Sequence, residues 1–339
     1  MKICVFGTGS VGGLIALALS RAGHDIGLIA RGSRLEDIRA HGLRLYDEAP
    51  ETAVWPLASD RPSDFGQQDV VICTVKASST GLAAALEPLV GPATLVVFAQ
   101  NGIPWWYDMM VPNHSRPAPD LGFLDPGGEL RRMLDARQIA GCVIHAAVQM
   151  IEAGVIRNPT SGQNRLVFGG PAPRNPQLSV LASYLDKAGL ASQVAEDLRP
   201  EIWWKLAYNL CLNSICGVIG HPLRVLGQNS ILLSLAQAMM QEGIDIARAH
   251  DVILDIDPSV AFTRRQTDSP HKPSLLQDIE QGRLLEFDAL FGAAERFARD
   301  GQVHTPHLDT MSALVSQKAI DAGALTIGGS HIKENRQLS

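Results

Sequence analysis

No stretch of this 339-residue chain is both long and unbroken enough to cross a bilayer, since even its most apolar region, Ile202 to Gly220, is interrupted by Lys205, Asn209 and Asn213. A basic and apolar leader with a small-residue cleavage site is also missing. The chain opens on the strand-like MKICVFG, and a cytoplasmic location is expected. Clusters of Lys and Arg are lacking, and the formal charge of -6 argues against a nucleic-acid partner. Cysteine is sparse: Cys4, Cys73, Cys142, Cys211 and Cys216 are odd in number and scattered through apolar segments. That pattern excludes a disulfide framework and a zinc site and suits buried thiols in a reducing compartment. What is present is the ordinary balance of a soluble globular protein, 46% hydrophobic and 19% charged, in a chain long enough for two moderate domains. Small-molecule chemistry is the expectation.

The first thirty residues, KICVFGTGSVGGLIALALSRAGHDIGLIAR, read as strand, glycine turn, apolar helix and second strand. Gly7, Gly9 and Gly12 satisfy G-x-G-x-x-G within GTGSVGG. The first glycine permits the turn, the second lets a pyrophosphate approach the backbone, and the third lets helix pack on strand. The N–H groups at the head of that helix then face the anion. Alone the motif is weak; inside a β-α-β unit it marks a dinucleotide site. The second strand ends on Ala30-Arg31, where an NAD-specific fold would carry Asp or Glu for the ribose hydroxyls. Arg31 could instead pair with the 2′-phosphate of NADP(H), or be a solvated strand-end residue. The missing acid also weighs against a methyltransferase.

DVVICTVKAS and ATLVVFAQNG are continuous apolar runs, as buried parallel strands require, with Lys76 and Asn101 at the carboxyl ends where open α/β sheets bind ligands. Residues 103–137 hold the Pro- and Gly-rich PNHSRPAPDLGFLDPGG and read as a loop or lid, in which Trp105, Trp106 and Tyr107 either wall the active site or anchor the loop. Strand-like alternation resumes in GCVIHAAVQMIEAGVIRN and NRLVFGG, with a hairpin turn at Glu152 to Gly154 that is expected to complete the sheet's edge.

From Pro200 onward nearly everything reads as helix. The expected architecture is an α/β Rossmann-type domain with a mainly parallel sheet over residues 1–197, an all-α substrate and catalytic domain over 198–330, and a flexible tail over 331–339. Lys205, Asn209 and Asn213 fall at steps of four on a helix otherwise flanked by Trp203, Leu206, Leu210 and Ile215, so they form one polar stripe on a buried helix. Such a stripe must face something polar, which points to a cleft. A lysine there is either a proton donor of tunable pKa or a structural lysine reaching water past the helix rim. HKPSLLQDIEQGRLLEFDALFG adds Ser274, Asp278, Glu286 and Asp288 around a glycine turn. Of these, Asp278 and Asp288 read as structural. HTPH, with His304 and His307, has a spacing shared by some metal sites but no third ligand, so no metal is expected and a helix cap or surface feature is preferred. The apolar ILLSLAQAMM is compatible with a homodimer.

GTGSVGG, VKA, QNG, WWKLAYNLCLN and SLLQDIEQGRLLEFD, in this order, resemble the ketopantoate reductase family over essentially the whole chain. The resemblance implies NADPH-dependent reduction of 2-dehydropantoate to pantoate. It makes Lys205 the general acid, Glu286 a partner to the active-site network, and Asn209, Asn213 and Ser274 substrate contacts. Gly7, Thr8, Gly9, Ser10, Val11, Gly12, Arg31, Lys76 and Asn101 would hold NADP(H). The chemistry agrees, because hydride arriving at a ketone leaves charge on oxygen that a lysine can both stabilise and protonate. The chain departs from the family's Gly-Arg-Pro-Thr-Glu-Ile-Asp at Leu284, Leu285 and Phe287, and in QNGIPWWYD. A bulkier or more aromatic 2-oxo acid, or a 3-hydroxy acid, is therefore the alternative substrate. A non-catalytic NADP sensor is the alternative class, opposed by the retention of Lys205 and Glu286 together.

Overall fold

The computed structural model describes residues 1–46, 48, 52–77, 81–172, 174–262 and 269–325; the tail expected over 331–339 lies outside them. The chain divides into two compact units, one formed by Met1–Gln100 with Gly128–Leu198, the other by Asn101–Gly127 with the chain from Arg199 onward. Residues 101–127, which the sequence reading assigned to the nucleotide domain, thus group with the helical unit.

The first unit begins β1 (Ile3–Phe6), α1 (Ser10–Arg21), β2 (Ile26–Ile29), α2 (Ser33–His41), β3 (Arg44–Leu45), β4 (Leu57–Ser59), β5 (Val70–Cys73), α3 (Leu82–Leu86) and β6 (Leu95–Phe98). It resumes with α4 (Glu129–Met133), β7 (Ile139–His145), β8 (Gln149–Glu152), β9 (Val155–Arg157), β10 (Arg165–Gly169), α5 (Pro176–Lys187) and β11 (Ala191–Val194). Eight strands make one sheet in the order β11-β10-β7-β6-β5-β1-β2-β4. It is parallel from β7 to β4 and antiparallel only where β10 meets β7. Ile3–Phe6, Val70–Cys73 and Leu95–Phe98 are buried at every position, which a strand covered on both faces requires and an alternating sequence could not supply. After β1 the chain builds outward through β2 and β4, then crosses back to β5 on the other flank of β1. The reversal opens a crevice at the carboxyl end of β1, beside the glycine turn.

The hairpin turn is present, with Gly154 at φ 68, but β8 and β9 do not extend that sheet. They join the two-residue β3 in a separate three-stranded sheet, and only β7, β10 and β11 complete the main one, which corrects the expected edge. The small sheet packs on α1. A Cβ on Gly13 would meet Ile156 Cδ1 at 2.9 Å, and the Met150 N–H donates to the Ser10 hydroxyl at 3.1 Å.

The second unit is helical among the described residues: α6 (Arg199–Tyr208), α7 (Ser214–Ile219), α8 (Arg224–Gln228), α9 (Ser230–Ala249), α10 (Ser274–Glu280), α11 (Ala293–Gly301) and α12 (Pro306–Asp321). Pro200 sits in the first turn of α6, where its missing N–H costs nothing. Asn229 caps α9 by accepting the N–H groups of Ile231 and Leu232 at 3.0 and 3.2 Å. The buried Glu242 carboxylate of α9 accepts the N–H groups of His307 (3.1 Å) and Leu308 (2.8 Å) and the His307 Nδ1 proton (2.7 Å). HTPH is in this way engaged at the head of α12. Trp105, Trp106 and Tyr107 are 4%, 1% and 1% exposed, which supports the anchoring alternative over the wall. The Tyr107 hydroxyl accepts the Trp203 indole N–H at 2.8 Å, and both rings stand edge-on to Phe297. Arg116 fastens the same segment further along, through Nε to Asp300 Oδ2 at 2.9 Å and its own N–H to Asp251 Oδ2 at 2.9 Å.

Candidate active site

The glycine turn of the first unit has the geometry of an anion cradle. Gly7 stands at φ 111, a conformation that L side chains rarely adopt, and Thr74 holds its carbonyl oxygen through a 3.0 Å hydroxyl bond. A Cβ on Gly12 would collide with that same Gly7 oxygen. A Cβ on Gly9 would meet nothing within 4 Å, so the second glycine leaves space where a pyrophosphate would come up to the backbone. α1 has no side-chain cap and no acid in its first turn, and its N–H dipoles are uncompensated there. Thr8 is buried, while Ser10 and Val11 are half-buried at the helix head. Arg31 is exposed two residues beyond β2, with no carboxylate at the strand end, and Lys76 is half-buried three residues beyond β5. These residues fit a dinucleotide.

In the second unit Asn101, Asn209, Asn213, Ser274 and Glu286 line one pocket of about 330 Å³, counted with its solvent-facing mouth. Two non-α turns build it. α6 runs into a π turn, Asn209–Asn213, before continuing as α7, and a second π turn, Asp288–Gly292, precedes α11. On an α-helix a four-residue step overshoots a turn by about 40°, so a row at steps of four drifts around the helix. Across a turn that closes at the fifth residue the same step falls short of a full turn. The drift from Lys205 to Asn209 is therefore countered between Asn209 and Asn213. The two amides meet, Asn213 Nδ2 donating to Asn209 Oδ1 at 2.9 Å. Lys205 sits one turn ahead on α6 and is half-buried, but the pocket lining does not include it.

Glu286 stands two residues before the second π turn, and its backbone oxygen accepts the Leu290 N–H at 3.1 Å. Its carboxylate Oε2 accepts the Asn101 Nδ2 proton at 2.9 Å. Asn101 is held for this bond by its neighbour. Gly102 lies at φ 84, and a Cβ there would strike the Ala289 carbonyl oxygen, which also accepts the Ile103 N–H at 2.8 Å. Only glycine lets the turn approach the π segment so closely. Asp278, set aside in the sequence as structural, lines the pocket while paired with Arg283 Nε at 2.8 Å; Asp288 does not line it. The turn between them is fixed at two further points, the Arg283 N–H on the Asp278 carbonyl (2.9 Å) and the Leu285 N–H on the Ala324 carbonyl (2.9 Å).

The rest of the pocket lining is apolar, formed by Leu275, Leu285, Phe287, Leu290 and Phe291. Sequence reading missed it as a wall, although it marked Leu285 and Phe287 as departures. An amphipathic helix pattern does not say which buried residues face a ligand. Among the described residues no group of three or more His, Cys, Asp or Glu could hold a metal.

An open parallel sheet with a glycine cradle, and a helical unit whose pocket pairs amides and a carboxylate with an apolar wall, define a nucleotide-dependent oxidoreductase of the Rossmann type. Comparison with known proteins gives the particular family. The family model "Ketopantoate reductase PanE/ApbA" matches residues 3–107 and its C-terminal companion, "Ketopantoate reductase PanE/ApbA C terminal", matches residues 197–319. A 2-dehydropantoate 2-reductase of Mesorhizobium japonicum is 35% identical over 95% of this chain and 99% of its own. A crystallised candidate ketopantoate reductase of Ralstonia solanacearum MolK2 superposes with a TM-score of 0.84 at 30% identity, over 96% of this chain and 99% of its own. D-mandelate dehydrogenase, solved with NADH and anilino(oxo)acetate, shares the fold, with a TM-score of 0.79 at 20% identity over 96% of this chain and 100% of its own. The chain belongs to the ketopantoate reductase family and is an NAD(P)-dependent oxidoreductase.

Proposed function

We propose that the protein reduces 2-dehydropantoate to pantoate with NADPH, Lys205 serving as general acid. The observation that carries this reading is the convergence of Asn101, Asn209, Asn213, Ser274 and Glu286 on one pocket, at the end of a helix that also bears Lys205. The names of the relatives favour the same substrate. A reduced nicotinamide supplies the hydride. Gly7, Thr8, Gly9, Ser10, Val11 and Gly12 receive the dinucleotide's phosphates, Arg31 its 2′-phosphate, and Lys76 and Asn101 the remainder. Preference for NADPH is favoured by Arg31 standing where a carboxylate would repel that phosphate.

Asn209, Asn213 and Ser274 offer donors to the substrate's carboxylate and hydroxyl without bringing a like charge near. The Lys205 ammonium stabilises charge growing on the ketone oxygen and then gives up its proton to it. Glu286, held by Asn101, balances that ammonium and orients it. Steady-state turnover of ketopantoate with NADPH and NADH, in the wild type and in Lys205→Ala, tests the whole assignment. A general acid contributes roughly 10²- to 10⁴-fold, so kcat should fall by about that factor with the NADPH dissociation constant unchanged, and NADPH should be preferred over NADH. Parallel loss of nucleotide binding would remove Lys205 from the role, and preference for NADH would remove Arg31 from its own.

A further inference from the structure

GTGSVGG carries a glycine that the dinucleotide motif does not ask for, Gly13, and a hydroxyl at the head of α1, Ser10. Gly13 is where α1 meets the small sheet. A Cβ there would stand 2.9 Å from Ile156 Cδ1 on β9 and 3.2 Å from Met150 Cε on β8. This close approach brings the Met150 N–H to the Ser10 hydroxyl oxygen at 3.1 Å. β8 is the outer strand of its sheet, and it uses this N–H outside its own ladder. The hairpin is held from another side as well. Arg44 of β3 donates its N–H to the Gly154 carbonyl at 3.1 Å, and a Cβ on Gly154 would stand 2.6 Å from Asp37 Oδ2 on α2. α2 begins two residues beyond Arg31. One hairpin therefore braces both the head of α1 and the helix that follows Arg31.

A hydroxyl has one proton and two lone pairs. At Ser10 the Met150 N–H occupies a lone pair, and among the described residues no group accepts the Ser10 proton. With the oxygen pinned at the first position of α1, that proton is left for the anion that comes to the helix head. Accepting one hydrogen bond also makes the hydroxyl a stronger donor. Resting on the dinucleotide reading above, we infer that Ser10 Oγ donates to the cofactor's pyrophosphate, and that Met150, through its backbone N–H, is the positioning residue that aims it. A hairpin 140 residues from the glycine turn thereby belongs to the cofactor site. The contact falls on a part that NADPH and NADH share, so it sets affinity for both and leaves the choice between them to Arg31.

Titration calorimetry of the full chain with NADPH, NADH and 2′-AMP, which lacks the pyrophosphate, reads this assignment apart from turnover. A hydrogen bond to a charged acceptor contributes about ten- to a hundredfold in affinity. Ser10→Ala should weaken NADPH and NADH alike by that factor and leave 2′-AMP unmoved. Ser10→Thr, which keeps the hydroxyl, should recover most of the loss. Met150→Pro deletes the N–H on an outer strand, where proline is tolerated. It should cost about fivefold or more in NADPH affinity in the wild type and nothing further in Ser10→Ala. If the proline variant does not fold, Gly13→Ala takes its place: it keeps the N–H, pushes Ile156 and Met150 away from α1, and should show the same dependence on Ser10. Dinucleotide affinity unchanged in Ser10→Ala, or 2′-AMP weakened as much as the dinucleotides, removes the contact. An equal cost of the hairpin variant with and without the Ser10 hydroxyl makes the hairpin a structural support only and overturns the positioning role. Failure of the wild type to bind any of the three nucleotides overturns the dinucleotide reading itself, and the inference with it.

Discussion

Gly102 shows how much of the site depends on one missing methyl group. It holds a left-handed conformation at φ 84 with the Ala289 carbonyl oxygen in the way of any Cβ, and next to it Asn101 reaches Glu286 at 2.9 Å. Gly102→Ala should cost about 2 kcal/mol from the positive φ alone, measurable by denaturant unfolding. Because the chain must also back away from the π turn, displacement of Asn101 and Glu286 should lower kcat/KM by about a hundredfold. Unchanged kinetics in a folded variant would show that the Asn101–Glu286 bond is dispensable. At this scale the sequence was informative where chemistry restricts residue choice. The cradle glycines and the amide row could be named from it, since few residue types suit such positions, while Ser274 and Glu286 were picked from their neighbours only through the family resemblance. Asp278 could not be placed, because a carboxylate paired with Arg283 and one lining a pocket look alike in sequence, and here it does both.

The elements that matter most are the ones a sequence reports least. The apolar strands β1, β5 and β6 were legible because burial on both faces demands an unbroken run. The hairpin of β8 and β9 was legible as a hairpin, but its sheet partner is the two-residue β3, more than a hundred residues away, which leaves no local trace. The π turns are hidden for another reason, since one extra residue in a helical turn changes no composition. The steps of four from Lys205 to Asn213 are the single hint, being a row that a regular helix would let drift. If the turn at Asn209–Asn213 exists to gather those amides, deleting the buried Leu212 should restore a continuous α-helix. The deletion variant is expected to melt at the same temperature as the wild type or higher, yet to lose about a hundredfold or more in kcat/KM. A variant that keeps activity would reduce the π turn to an accident of packing.

For the molecule as a whole, the buried charges and thiols set the conditions under which it survives. All five cysteines are free and buried, and burial pushes the Cys4, Cys73 and Cys216 thiols up to about 12, so none of these three offers a thiolate near neutral pH. His250 is 3% exposed, with Nε2 carrying the proton it donates to the Phe297 carbonyl at 2.9 Å. Burial holds its pKa below the ordinary imidazole value; the Phe297 bond and Asp300 partly offset that, while Arg116 adds to it and Asp251 opposes it. An unfolded His250 regains a pKa of about 6.5, so the stability tied to its neutral form is complete above that pH and declines as the pH falls below it. His271, whose pKa burial also lowers, adds the same sign. Tm should therefore fall between pH 7 and pH 5.5, and His250→Gln should flatten that decline while leaving the share of His271. A slope unaltered by the substitution would place the acid sensitivity elsewhere.

The contact between Leu285 and Ala324 has a practical corollary for anyone trimming or tagging the protein. α12 ends at Asp321, Gly323 at φ 69 turns the chain, and the carbonyl just beyond it receives the N–H of a pocket residue. α12 is thus also a buttress for the substrate turn. A chain ending at Asp321 should yield protein with a loosened turn behind Glu286 and a lower kcat/KM in steady-state turnover.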